Sequence, residues 1–167
     1  MCAEVIVLIL SYNGKHLLED SISSYLANDY KNFKVVVVDN GSTDGTEYWV
    51  KDNYPNVFVH RTEKNLKYSG GLNFGMEYAF NVLNADYVLI TNNDVKAGQG
   101  LIAALVETAL TDEKIAFTIG KVYFFDAPDT FQTVGKKFHP IHWNAGHIGI
   151  MEKDRGQYDT VEERAWC

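Results

Sequence analysis

Four apolar runs alternate with segments of helical periodicity over most of the chain. The runs are short and rich in β-branched residues, which is typical of strands buried on both faces of a parallel sheet. We predict strands at residues 4–11, 33–39, 57–61 and 87–91. Apolar spacing predicts helices at 15–28, from Thr43 or Asp44 to Pro55, at 73–83 and at 101–110. This alternation predicts an α/β fold, a Rossmann-like wound sheet that is mainly parallel and flanked by helices.

The pattern changes after residue 114. Residues 115–125 are predicted to be β structure, and residues 126–167 mix aromatic residues, glycines, histidines and charges without a clear period. We therefore predict a wound core at residues 1–125 and an irregular, β-containing extension at residues 126–167.

Composition narrows the class of protein. The chain has 167 residues, 46% of them apolar, which fits a soluble domain with a sizeable core. Its net charge of −7 argues against nucleic-acid binding through a broad basic face. No apolar run is long enough to cross a bilayer and no charged leader precedes one, so we predict a cytoplasmic protein. Cys2 and Cys167 are predicted to be free thiols.

Polar residues follow three of the predicted strands. Ser11 ends the first strand, Asp39 ends the second, and Asn92 follows the fourth. Open α/β sheets bind ligands at the carboxyl ends of their strands, so these residues predict one binding edge. Asp39 could accept a hydrogen bond from the N3–H of a pyrimidine base, or it could only cap the turn before the next helix.

Two further clusters suit a diphosphate. Asp94 offers a carboxylate and Asn92 an amide oxygen, a set that fits Mg²⁺ or Mn²⁺ bound to phosphates, although such a tripeptide can also be a simple turn. Gly70 and Gly71 lie in a predicted loop at 63–72 and allow close backbone approach to an anion, or serve only helix–sheet packing. Cationic potential concentrates just upstream, at His60, Arg61, Lys64 and Lys67. His139, His142 and His147 match no familiar zinc spacing.

These motifs together resemble glycosyltransferase family 2, enzymes of the GT-A fold that use nucleotide-diphosphate sugars. The matching segments are residues 8–13, 36–46, 65–75 and 89–95, in order and spacing. The Gly-Gly-x-Asn-x-Gly and Asn-Asn-Asp-Val forms are most similar to the rhamnosyltransferase-like branch.

The resemblance implies a metal-dependent, inverting transfer of a sugar from a UDP- or dTDP-sugar to an acceptor hydroxyl. It implies polysaccharide or cell-surface glycan synthesis, with a glycan or lipid-linked acceptor and peripheral association with the inner face of the membrane. The implied donor site comprises Ser11, Tyr12, Asn13, Asp39, Asn40, Ser42, Asn65, Gly70, Gly71, Asn73, Asn92 and Asn93. Asp94 corresponds to the metal-binding end of the family's Asp-x-Asp motif, and Asn92 replaces the first Asp, which removes one charge.

Family members continue into an acceptor-binding half that carries the acidic catalytic base. We therefore expect residues 1–125 to bind the nucleotide sugar and residues 126–167 to begin an incomplete acceptor region. The late carboxylates do not single out a base, which stays unassigned among Asp154, Asp159, Glu162 and Glu163. A second hypothesis is a nucleotide-sugar-binding module that cannot transfer sugar alone. A nucleotidylyltransferase and a Rossmann dehydrogenase are disfavoured, because no glycine-rich loop follows the first strand.

Overall fold

The computed structural model describes residues 3–139 and 144–162. The predictions made for Cys2, His142, Glu163 and Cys167 therefore lie outside the described residues. The chain divides into two compact units, Met1–Ala103 and Ala104–Cys167. The boundary predicted at residue 125 is a different one, between the donor-binding and the acceptor-binding regions. It stays a prediction.

The first unit is built on a four-stranded sheet in which all neighbouring strands are parallel. Its strands have the order β3-β2-β1-β4, with every residue of β1 and the last five of β2 buried. Their bounds are β1 Val5–Ser11, β2 Phe33–Asp39, β3 Phe58–Arg61 and β4 Tyr87–Asn92. The predicted wound, mainly parallel sheet is confirmed, because long β-branched runs without alternation suit only strands covered on both faces.

Helices connect these strands as predicted, with one correction. Their bounds are α1 Lys15–Leu26, α2 Thr46–Asn53, α3 Lys67–Asn81 and α4 Leu101–Ala109. The predicted loop at 63–72 is confirmed for residues 63–66 and wrong for 67–72, since α3 begins at Lys67 and contains Gly70 and Gly71. Glycines disfavour helices in isolation, but here Gly71 is required for packing on the sheet.

The packing of α3 on the sheet depends on its glycines. A Cβ on Gly71 would lie 2.7 Å from Leu10 Cδ1, and one on Gly75 would lie 2.6 Å from Val38 Cγ2. Both distances are far below van der Waals contact. The helix therefore lies close over β1 and β2 and closes a core cluster of Ile6, Leu8, Leu10, Val36, Val38, Leu72 and Ala79.

The strand register brings the polar strand ends together. Ser11 pairs with Asp39 across β1 and β2, and Asp39 pairs with Arg61 across β2 and β3. On the other side of β1, Leu10 pairs with Asn92 of β4. The carboxyl ends of all four strands therefore meet at one edge.

The second unit consists largely of two hairpins. β5 Val122–Phe124 pairs with β6 Ala127–Thr133, and β7 Lys136–His139 pairs with β8 Asn144–His147, both antiparallel. The prediction of β structure from residue 115 is wrong for 115–121, which contain no strand. Fully buried Phe131 packs against Tyr123 and Tyr158. No helix in the described part of the chain is long and apolar enough to cross a membrane.

Candidate functional site

Asp39 is fixed at the buried end of the site. Its Oδ1 accepts a hydrogen bond from the Ser42 N–H at 2.9 Å, and its Oδ2 accepts one from the Arg61 guanidinium. Arg61 also donates to the Ser42 carbonyl oxygen at 2.7 Å. The turn-capping interaction is thus present. The Asp39 carboxylate is fully buried. A pyrimidine base of a ligand can therefore contact it only if a neighbouring side chain shifts.

Asn13 and Ser42 join the loops that follow β1 and β2. The Asn13 N–H donates to Ser42 Oγ at 3.0 Å, and the Thr43 N–H donates to Asn13 Oδ1 at 2.8 Å. Asp44 Oδ2 accepts the Lys15 N–H at 3.0 Å. Burial acts to raise the pKa of Asp44, but hydrogen bonds from Thr46 and backbone N–H groups lower it below its ordinary value. The two loops therefore form one hydrogen-bonded rim.

Ser11 contacts Asn93, and a glycine makes the contact possible. Asn93 Nδ2 donates to Ser11 Oγ at 3.1 Å. A Cβ on Gly14 would lie only 1.9 Å from that nitrogen. Gly14 was not predicted as a site residue, although an Asn-Gly pair two residues after the end of β1 was a usable signal.

Asn40 and Asn65 hold the beginning of α3. Buried Asn40 accepts the Leu66 N–H at 2.9 Å and donates to the Lys67 carbonyl oxygen at 3.0 Å. Asn65 Oδ1 accepts the Lys67 N–H at 2.7 Å. Both asparagines thus connect the end of β2 to the first turn of the helix.

A cleft of about 340 Å³ opens at this sheet edge. Its lining comes from the ends of β1, β2 and β4 and from the region where α3 begins: Leu10, Tyr12, Asn40, Asn65, Lys67, Tyr68, Asn92 and Asn93. Five of these were predicted as site residues, whereas Leu10 and Tyr68 were missed and Lys67 was noted only for its charge. Four other predicted residues form the hydrogen-bonded rim described above: Ser11, Asn13, Asp39 and Ser42. Gly70, Gly71 and Asn73 lie within α3 and do not line the cleft.

Asp94 and Asn92 are both exposed, and of the two only Asn92 lines the cleft, two residues from Asp94. Among the described residues no group of three His, Cys, Asp or Glu side chains could hold a metal ion. Mg²⁺ and related cations need only one or two protein oxygens when a diphosphate supplies the rest. The donor set therefore fits a divalent cation that shares the phosphates of a nucleotide.

The four basic residues near β3 have different roles. His60 is stacked between Phe74 and Tyr78, with ring centroids at 4.1 and 4.2 Å, and burial lowers its pKa. Arg61 is paired with Asp39, and exposed Lys64 does not line the cleft. Only Lys67 of the four contributes to the lining.

A wound parallel sheet with a polar cleft at its carboxyl edge is the arrangement in which open α/β proteins bind their ligands. The profile of the family described as Glycosyl transferase family 2 matches residues 6–160. The chain belongs to this family, as its motifs predicted.

Two relatives show the kind of protein it is similar to. It is 33% identical over 111 residues to the N-acetylglucosaminyl-diphospho-decaprenol L-rhamnosyltransferase of Mycobacterium tuberculosis (strain CDC 1551 / Oshkosh), covering 62% of this chain and 36% of that protein. It is 28% identical over 116 residues to the poly-beta-1,6-N-acetyl-D-glucosamine synthase of Staphylococcus aureus (strain COL), covering 68% and 27%. The chain thus spans about a quarter to a third of the length of these relatives.

Solved structures confirm the GT-A fold. S. aureus TarS in complex with UDP matches with a TM-score of 0.55 and 18% identity, over 74% of this chain and 43% of that one. The mannosyltransferase PcManGT from Pyrobaculum calidifontis, in complex with GDP-Man and Mn²⁺, matches with a TM-score of 0.54 and 24% identity, over 74% and 35%. At these identities the likeness concerns the fold.

Proposed function

We propose that this chain is the donor-binding part of an inverting glycosyltransferase that moves a sugar from a UDP- or dTDP-sugar to an acceptor hydroxyl. The observation that carries the proposal is the cleft, because residues from all four family motifs meet there. The names of the two relatives support a role in polysaccharide or cell-surface glycan synthesis. A glycan or lipid-linked acceptor at the inner face of the membrane fits that role.

The chemistry requires charge stabilisation at the leaving group. A base takes the proton of the acceptor hydroxyl as its oxygen attacks the anomeric carbon, and the nucleoside diphosphate leaves through an oxocarbenium-like transition state, as in glycoside hydrolysis. Asp94 and Asn92 would hold a divalent cation, which supplies positive charge for the leaving diphosphate when bound. The rim residues Asn13 and Ser42 would keep the nucleotide pocket rigid.

The catalytic base stays unassigned. A general base works best when its pKa lies near the operating pH. The hydrogen bond from Tyr123, followed by one from the Gly156 N–H, lowers the pKa of Asp154, and Asp159 is paired with Lys121. The lowered pKa makes Asp154 a poor candidate, and the ion pair with Lys121 occupies the Asp159 carboxylate. A nucleotide-sugar-binding module without transferase activity is the second candidate, and turnover by the 167-residue chain, assayed beside a longer form, would exclude it.

The first prediction concerns base recognition. Calorimetry should show that UDP or dTDP binds at least about tenfold more tightly than CDP, because a carboxylate accepts an imide N–H and repels the N3 acceptor of cytosine. Asp39→Ala should weaken UDP binding by about 1–3 kcal/mol, the cost of losing a charged hydrogen-bond partner. Asp39→Asn should narrow the gap between UDP and CDP, because an amide can donate to cytosine.

The same titrations, repeated with Mn²⁺, test the metal site. Mn²⁺ should strengthen UDP binding by the wild-type chain, and Asp94→Ala should remove this effect. Asp52→Ala, at an exposed carboxylate outside the cleft, is the matched control. Equal affinities for UDP and CDP, unchanged by Asp39→Ala, would contradict the proposed donor.

A further inference from the structure

Lys67 has an unusual backbone conformation for its residue type. Its φ is 63°, in the left-handed region that side-chain-bearing residues rarely adopt. Four non-glycine residues in the described part of the chain have a positive φ, and two of them, Asn13 and Asn84, are asparagines, which tolerate it. A lysine has no such tolerance. A strained residue of this kind persists only where its surroundings fix it, and such residues cluster at functional sites.

The surroundings of Lys67 do fix it. Its N–H donates to Asn65 Oδ1 at 2.7 Å, and its carbonyl oxygen accepts from Asn40 Nδ2 at 3.0 Å. Asn40 is itself buried and bonded to the Leu66 N–H and to Thr62 Oγ1. Asn40 therefore connects the backbone of Lys67 to the end of β2, and rotation of Lys67 out of the left-handed region would break both of its bonds.

Lys67 lines the cleft together with residues at the ends of β1 and β4. Tyr12, Asn92 and Asn93 line the same cleft. Within the described residues, the Lys67 ammonium group has no ion-pair partner, whereas Arg61 is committed to Asp39 and His60 to an aromatic stack. In a chain of net charge −7, an anionic ligand in this cleft requires a local cation. Lys67 is the basic residue that the fold brings to the lining.

We propose that Lys67 binds the diphosphate of the nucleotide ligand, and that its strained backbone is retained because it directs the lysine into the cleft. This inference rests on the proposed function and adds to it the residue that selects diphosphates over uncharged nucleosides. An ammonium group there would also stabilise the charge that develops on the departing diphosphate.

Two substitutions separate the charge from the backbone. Lys67→Gly removes the charge and tolerates the positive φ, whereas Lys67→Gln removes the charge and keeps the strain. Titrations of UDP and of uridine by calorimetry should show that both variants bind UDP about tenfold more weakly, the loss of one charge-assisted contact. Uridine affinity should stay within about twofold of wild type. Lys67→Arg keeps the positive charge and should retain most of the UDP affinity. Lys64→Gln, at an exposed lysine that does not line the cleft, is the matched control.

Thermal unfolding makes the test specific to a binding role. The melting temperature of Lys67→Gly should equal or exceed that of the wild-type chain, because glycine relieves the strain, while its UDP affinity falls. Unchanged UDP affinity in both variants would overturn the role of Lys67 and leave the proposed function standing. Equal losses for UDP and uridine would overturn the assignment to the diphosphate. Absence of UDP binding by the wild-type chain would overturn both proposals.

Discussion

Arg61 shows at the scale of one residue how the site depends on contacts that are distant in sequence. It donates to the Asp39 carboxylate and to the Ser42 carbonyl oxygen, and it lies 3.6 Å from a carboxylate oxygen of Glu47. Arg61 thereby connects the end of β3 to the loop that follows β2. We infer that it sets the direction of the Asp39 carboxylate and is a positioning residue for base recognition.

Removing Arg61 should expose the cost of a buried, unpaired carboxylate. Arg61→Leu is expected to lower the free energy of unfolding by about 2 kcal/mol. Removing one partner of a fully buried ion pair costs about 3–5 kcal/mol. The expected loss is smaller here because Arg61 is partly exposed and solvent weakens the pair. Urea unfolding measures this loss, with Lys64→Leu as the control at an exposed lysine.

A double-mutant cycle identifies the source of the loss. In an Asp39→Asn background the charge is absent, so Arg61→Leu should cost much less than it does in the wild-type chain. Equal costs in the two backgrounds would show that Arg61 stabilises the protein through other contacts.

Asp39 could be predicted from the sequence but its partner could not, and the reason is physical. Asp39 ends a conspicuous β-branched run, so its position at the strand end followed from local pattern. Its pairing with Arg61 depends on the register between β2 and β3, which no local pattern specifies. Tyr68 was missed for a similar reason, since only the early start of α3 brings it to the cleft.

At the scale of elements, strands were predicted more accurately than the start of α3. Aliphatic runs define buried strands almost by themselves, and the predicted β2 has the observed bounds. The start of α3 depends on the side chains of Asn40 and Asn65, which fix a lysine in a left-handed conformation. Residue propensities contain no such information, and Gly70 and Gly71 favoured a loop.

The close packing of α3 on the sheet yields a stability prediction. A Cβ on Gly75 would lie 2.6 Å from Val38 Cγ2 and 2.7 Å from Leu8 Cδ1. Overpacking by Gly75→Ala should cost about 1–3 kcal/mol, while helix propensity offsets about 1 kcal/mol of it, so we expect the free energy of unfolding to fall by up to about 2 kcal/mol. Urea unfolding tests this, with Gly98→Ala as the control where a Cβ has open space. A Gly75→Ala variant as stable as wild type would show that α3 can move away from the sheet.

At the scale of the whole molecule, the two units differ in what the sequence reveals. All residues of the cleft belong to the unit Met1–Ala103, whose alternating pattern predicted both its fold and its binding edge. The second unit has short strands and register shifts, so it has little periodicity to detect. Its described residues are joined by side-chain contacts such as those of Lys121 with Asp154 and Asp159.

These contacts should make the second unit sensitive to acid. Hydrogen bonds from Tyr123 and the Gly156 N–H, with the charge of Lys121, hold the pKa of Asp154 below its ordinary value. A carboxyl group whose pKa is lower in the folded state contributes stability above its unfolded pKa of about 4 and loses it as the pH falls through the folded value. The melting temperature of the wild-type chain should therefore fall as the pH drops below about 4.

Asp154→Asn tests both the acid response and the independence of the cleft. The variant should be less stable than wild type at pH 7, and its melting temperature should fall less steeply below pH 4, because the titrating group is gone. Its UDP affinity at pH 7 should stay within about twofold of wild type, since the cleft residues belong to the first unit. Circular dichroism and calorimetry measure the two quantities, with Asp126→Asn as the control at an exposed aspartate. An acid response as steep as that of wild type would show that Asp154 does not link the stability of the second unit to pH.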